Sequence, residues 1–136
     1  MFYRTILLFL IIINLSAFQV PLFSQDASNQ IRTGQNFLRN GQYIEALKSL
    51  NNAILEFPSS PELYFLRGFA KYSLDDFLGA EMDYTKSLTL FPFDTDVLLN
   101  RAEVRSQQGN YTGALEDLTS ACSVDSTNPE IYFSLA

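Results

Sequence analysis

Three stretches of this chain spell one pattern at a fixed interval. Gly41–Ile54 reads GQYIEALKSLNNAI, Asp75–Leu88 reads DDFLGAEMDYTKSL, and Gly109–Cys122 reads GNYTGALEDLTSAC. Ala46, Ala80 and Ala114 stand 34 residues apart, and so do Tyr43, Phe77 and Tyr111, and Leu50, Tyr84 and Leu118. Upstream, Gly34, Gly68 and Ala102 keep the same step; Pro58 and Pro92 close two units, and Ser126 takes that place in the third. The small and apolar letters persist while the polar letters between them change. A period of this size marks an array of supersecondary units, none of which can bury its apolar face alone.

Each unit predicts two helices. The first spans 28–39, 61–74 and 95–108, the second 43–56, 77–90 and 111–124, with turns at Asn40-Gly41, Asp75-Asp76 and Gly109-Asn110. Ser60-Pro61-Glu62 places a capping hydroxyl, a proline and an acid at a helix start, and Asp94-Thr95-Asp96 and Asn128-Pro129-Glu130 repeat the idea. The small residues fall where two helices must approach closely, since a large side chain there would overpack the contact. The aromatic just after each turn is expected to fill the space between neighbouring hairpins. Cys122 stands where the other units have Ile54 and Leu88, and reads as a buried small apolar residue.

Composition narrows the chemistry. The chain of 136 residues is 47% hydrophobic and 18% charged, enough to bury a core, and its formal charge of −6 without a basic cluster disfavours nucleic acid and anionic lipid. It has no histidine and one cysteine, which removes His-based nucleophile pairs, the usual zinc ligands and any internal disulfide. No cofactor and no enzymatic activity are expected. Residues 1–25 open with Arg4, run apolar from Ile6 to Asn14 and break at Pro21, with Ser24 before a possible cleavage point. This reads as a signal peptide, its strong run being shorter than the ~20 residues of a membrane span; an uncleaved N-terminal membrane anchor is the alternative. No cysteine near its end would carry a lipid. The body of the chain is therefore expected to be exported, periplasmic or secreted, and membrane-associated only if the segment stays.

The repeat resembles the tetratricopeptide repeat family. The matching residues are Gly34, Phe37, Gly41, Tyr43, Ala46, Leu50, Ala53 and Pro58; Tyr64, Gly68, Phe77, Ala80, Tyr84 and Pro92; and Leu98, Ala102, Gly109, Tyr111, Ala114, Leu118 and Ala121. The resemblance implies an all-α fold, a right-handed superhelical solenoid of about three helix-turn-helix repeats plus a partial fourth. Its units are 27–60, 61–94, 95–128 and 129–136, in one domain over 26–136. It also implies a concave groove, lined by the first helices, that holds a partner's peptide or helix. The family's carboxylate-binding subclass has lysine and asparagine on the groove side; the matching positions here hold Ile31, Gln35, Phe65, Phe69, Leu99 and Glu103, which disfavours that ligand.

Two departures from the pattern matter. Units two and three carry Arg67, Lys71, Arg101 and Arg105 where the family often has apolar residues, and both place an aspartate on the facing helix, Asp83 and Asp117. Unit one has Thr33, Phe37 and Ser49 instead. Charges that appear together or not at all predict ion pairs between the two helices of a hairpin; an anion site is the functional alternative. Phe65, Phe69 and Tyr72 fall on one helix face at steps of four and three. With Ile31, Leu38, Leu99 and Phe133 they form the candidate partner-binding set, an apolar groove for a protein or peptide segment, or else they pack against neighbouring helices. Glu62, Asp96 and Glu130 form an acidic series that either selects a basic partner or complements helix N-termini. Asn110-Tyr111-Thr112 matches a glycosylation acceptor.

The expected function is a non-catalytic interaction scaffold of the cell envelope, or alternatively the N-terminal portion of a larger envelope enzyme or sensor. The stub Ile131–Leu135 reads as the start of a fourth unit in a fragment. The sequence does not set the oligomeric state.

Overall fold

The structure, a computed structural model, describes residues 26–125. The expected signal segment, the partial fourth unit and Phe133 lie outside the described residues. Those residues form six helices and no strand: α1 (26–39), α2 (Tyr43–Glu56), α3 (Pro61–Tyr72), α4 (Phe77–Leu90), α5 (Thr95–Gln107) and α6 (Tyr111–Val124). They pair as three antiparallel hairpins, α1–α2, α3–α4 and α5–α6, stacked so that α3 packs on α2 and α5 packs on both α4 and α3. None of these helices is long and apolar enough to cross a membrane.

The three hairpin turns are built identically. Positive φ occurs at Gly41 (70°), Asp75 (61°) and Gly109 (76°). Around each, the following amide reaches back five residues, from Gln42 to the Phe37 carbonyl, Asp76 to Lys71 and Asn110 to Arg105. The amides of Gly41, Asp75 and Gly109 donate to Leu38, Tyr72 and Ser106. This is the Schellman arrangement, which satisfies the last carbonyls of a helix by turning one residue left-handed. The residue after it is already the cap of the next helix: Asp76 and Asn110 accept the amides of Gly79 and Gly113 at 2.9 and 3.1 Å. α3 and α5 therefore end at Tyr72 and Gln107, slightly before the expected 74 and 108, because the closing turn uses those residues. At the start of α3, Ser60 occupies the cap position without a side-chain cap bond, contrary to the expected hydroxyl cap, whereas Asp94 does accept the Val97 amide at 3.2 Å.

Within each hairpin the helices touch at the small residues. A methyl group on Gly34 would stand 2.6 Å from Leu50 Cδ2, and one on Gly68 would stand 2.7 Å from Tyr84 Cε1. In the third hairpin Ala102 fits against Leu118 and Ala114. Leu50, Leu63, Val97 and Val104 are fully buried. Phe77 packs on the core shared with α5, as expected of an inter-hairpin residue, and its ring lies 5.7 Å from that of Tyr72 in its own hairpin. Tyr111, its counterpart on the last described hairpin, is 71% exposed.

The predicted ion pairs are present and extend further than a hairpin. Asp83, 4% exposed, accepts from Arg67 through both oxygens at 2.7 and 2.8 Å and from Lys71 at 2.8 Å. Asp117, 3% exposed, accepts from Arg101 at 2.6 and 2.9 Å and from Arg105 at 3.0 Å. Each first arginine also reaches back to the preceding hairpin, Arg67 to Asn51 at 2.8 Å and Arg101 to Thr85 at 3.1 Å. Arg105 makes a second pair with Glu81 at 2.8 Å, which holds that carboxyl below its ordinary range. The hydrogen bonds to Asp83 push the Arg67 pKa up against the opposing effect of burial. Each of the four cations meets an acid, so this set ties helices together and presents no open anion site.

One polar atom in the core has no match. Tyr84 is fully buried, and its hydroxyl has no hydrogen-bond partner among the described residues. Burial pushes its pKa well up.

Three outcomes follow from these contacts and are checked by denaturant unfolding. Asp75→Gly removes the Cβ from a left-handed residue and should add about 0.5–1 kcal/mol, whereas Gly109→Val should cost about 1–2; equal midpoints for all variants would separate stability from the turn's handedness. Asp83→Ala leaves two cations facing a buried gap and should cost roughly 3–5 kcal/mol, against less than about 1 for Ala at Ser49, the unpaired equivalent. Tyr84→Phe removes an unmatched buried hydroxyl and should raise stability by about 1 kcal/mol; a loss of that size would mean the hydroxyl has a partner.

Candidate peptide-binding groove

The first helices α1, α3 and α5 lie side by side. α1 is tied to α3 by Gln35, whose side-chain amide donates to Glu62 at 3.0 Å, and α3 meets α5 directly. Between α1 and α3 a cleft of about 440 Å³ opens, lined by Gln35, Leu38, Arg39, Phe65, Leu66 and Phe69. The lining follows from helix geometry: Leu38 and Arg39 lie three and four residues after Gln35, and Phe65 and Phe69 at a step of four, so each set shares one face.

The aromatic residues divide into a floor and a rim. Phe65 is half-buried and packs against both principal cores, with its ring 6.0 Å from that of Tyr84. Phe69, one turn on, is 37% exposed and stands open to the cleft. Leu66 is buried and closes the bottom.

Of the seven residues picked out by sequence, the structure places Leu38, Phe65 and Phe69 together in this cleft. Ile31 is partly buried against the core formed by α2 and α3. Tyr72 packs on the core of α4 and α5, where burial first, and the charges of Glu103 and Asp75 next, keep its phenol protonated above the ordinary range. Leu99 packs on the same core and also lines a second cleft of about 410 Å³ with Glu103, Tyr111 and Leu115. Shifted back by one 34-residue period, those residues become Phe65, Phe69, Phe77 and Glu81. In the middle hairpin, Phe65 and Phe77 pack on the core shared with α5, and Glu81 is bound by Arg105. This second cleft is thus the stacking face of the last described hairpin. Gln35, Arg39 and Leu66 were absent from the candidate set, although the helical spacing that selected Leu38 and Phe65 also selects them.

The acidic series divides in the same way. Glu62 and Asp96 lie in the first turns of α3 and α5, where they complement the helix dipoles, and Glu62 also holds Gln35. Cys122 is half-buried against the core of α4 and α5. Asn110 of the glycosylation pattern caps α6. The described residues contain no cluster of potential metal ligands.

Residues 84–136 match a family model described as TPR repeat. No curated protein matches the chain by sequence. Among solved structures, the first TPR of Spaghetti bound to an HSP90 peptide superposes with a TM-score of 0.78 at 23% identity, over 82% of this chain and 88% of that one. The Arabidopsis OM64 TPR domain superposes with 0.77 at 21%, over 80% and 90%. MamA superposes with 0.77 at 19%, over 80% of this chain and 64% of that one. Residues 84–136 thus carry the sequence pattern of a TPR repeat, and the described hairpins share the fold of TPR domains.

Proposed function

We propose that this protein is a non-catalytic interaction scaffold that takes a segment of a partner protein into the cleft between α1 and α3. The observation that carries this reading is Phe69, a large aromatic side chain standing open in a cleft whose floor, Phe65 and Leu66, is already fixed by the core. A partner's apolar side chain placed against Phe69 removes that ring from water without rearranging the fold. The bound HSP90 peptide of Spaghetti gives a precedent for peptide capture on this architecture. The groove positions here, Gln35, Phe69 and Glu103, favour apolar over carboxylate recognition. Catalysis finds little material in this site: the chain has no histidine, and Arg67, Lys71, Arg101 and Arg105 are committed to ion pairs.

The same proposal places the scaffold in the cell envelope. The support is the N-terminal sequence, in which Arg4 precedes an apolar run that ends before Pro21.

Crosslinking and pull-down from native envelopes test both parts, with Phe69→Ala as the discriminating variant. Because Phe69 is a rim residue, its truncation should cost less than about 1 kcal/mol of stability while abolishing capture of the partner. Phe65→Ala should lose both, costing about 3 kcal/mol. Undiminished capture by a folded Phe69→Ala protein would overturn the groove. Recovery of the chain only in the cytoplasmic fraction would overturn the location.

A further inference from the structure

The groove side of the first helices is electrically graded. α1 contributes Arg39, in the lining of the cleft and with no ion-pair partner among the described residues, and Arg32, held only by the Asn29 side chain at 3.1 Å. α3 contributes Glu62. α5 contributes Asp96 and Glu103: Glu103 is the counterpart of Phe69 one period on, its charge acts on Tyr72, and its bonded partner is the neutral Gln107 at 2.7 Å. The formal charges thus run from two positive on α1, through one negative on α3, to two negative on α5. The remaining cations of α3 and α5 add nothing to this face, because Asp83, Asp117 and Glu81 neutralise them between the helices.

We infer, on the groove reading above, that the occupant is a charge-segregated segment of a partner protein. Its apolar side chains rest on Phe65 and Phe69, an acidic residue lies over α1 against Arg39, and a basic residue lies over α5 against Glu103. A gradient of this kind contributes to recognition in two ways. The exposed charges steer and orient the approaching segment, and a segment bearing one sign throughout meets repulsion at one end. The aromatic centre supplies the contact area, and the charged ends set the direction in which the chain lies.

The test uses the full chain and a phage-displayed library of random 12-residue peptides. Enriched peptides should carry an apolar centre with acidic residues to one side and basic residues to the other. Their binding should weaken about tenfold on charge reversal at either end, in Arg39→Glu or Glu103→Lys, and should weaken as salt rises. The double variant should select no better for uniformly charged peptides, and its orientation preference, read from a spin label at one peptide end, should invert. Enrichment of apolar peptides that need Phe69 but show no charge order would overturn this inference and leave the groove standing. Enrichment independent of Phe69 would overturn both.

Discussion

The two helices of each hairpin can lie against one another only because one residue in the first helix has almost no side chain. Gly34, Gly68 and Ala102 face Leu50, Tyr84 and Leu118, and the space each leaves is filled by a residue of matching bulk. The largest partner, Tyr84, lies against a glycine, so the middle hairpin gains the most buried aromatic surface and also inherits a phenolic oxygen with no partner. The same close approach fixes where Phe65 sits, since its ring rests beside Tyr84. A groove floor on α3 is therefore a consequence of how α3 meets α4.

The buried carboxylates act within each hairpin and, through the arginines they hold, on the preceding one. A buried ion pair is weak evidence for added stability, because desolvation offsets attraction. Its geometric demand is the more informative feature. Asp83 must receive Arg67 through both oxygens while Arg67 also reaches Asn51 of the preceding hairpin, so three helices are fixed in register by one guanidinium. Asp117, Arg101 and Thr85 repeat the arrangement one period later. The first hairpin, with Thr33, Phe37 and Ser49, has no preceding described hairpin to register against, which fits the absence of the charged set there.

How much of this is legible from sequence depends on whether a residue's role is local or collective. The second helices lie at the expected residues because their starts are dictated by neighbours: a left-handed residue, then a cap. α3 and α5 end before the expected Leu74 and Gln108, because those side chains suit a helix while the backbone there is already closing the turn. Asp75 takes the expected turn despite lacking the glycine of the other two. The ion pairs were legible because their members appear and disappear together across units. Ser60 departs from the expected side-chain cap, since a hydroxyl at a cap position reveals its residue type but not its rotamer. The unmatched hydroxyl of Tyr84 was invisible, because the repeat pattern asks only for a large side chain there.

The groove shows the same division. Spacing alone brought Leu38, Phe65 and Phe69 onto a common surface, yet it could not separate the half-buried Phe65 from the open Phe69, since both satisfy the same helical step. That separation comes from the facing helix of the same hairpin, whose Tyr84 holds one ring and leaves the other free. Charge behaves likewise. Arg39 and Arg67 are indistinguishable as letters, but one is consumed between helices and the other faces the cleft. An array of repeats thus converts residues of one type into two classes, those held by the facing helices and those left over for a partner, and only the packing of those helices decides which is which.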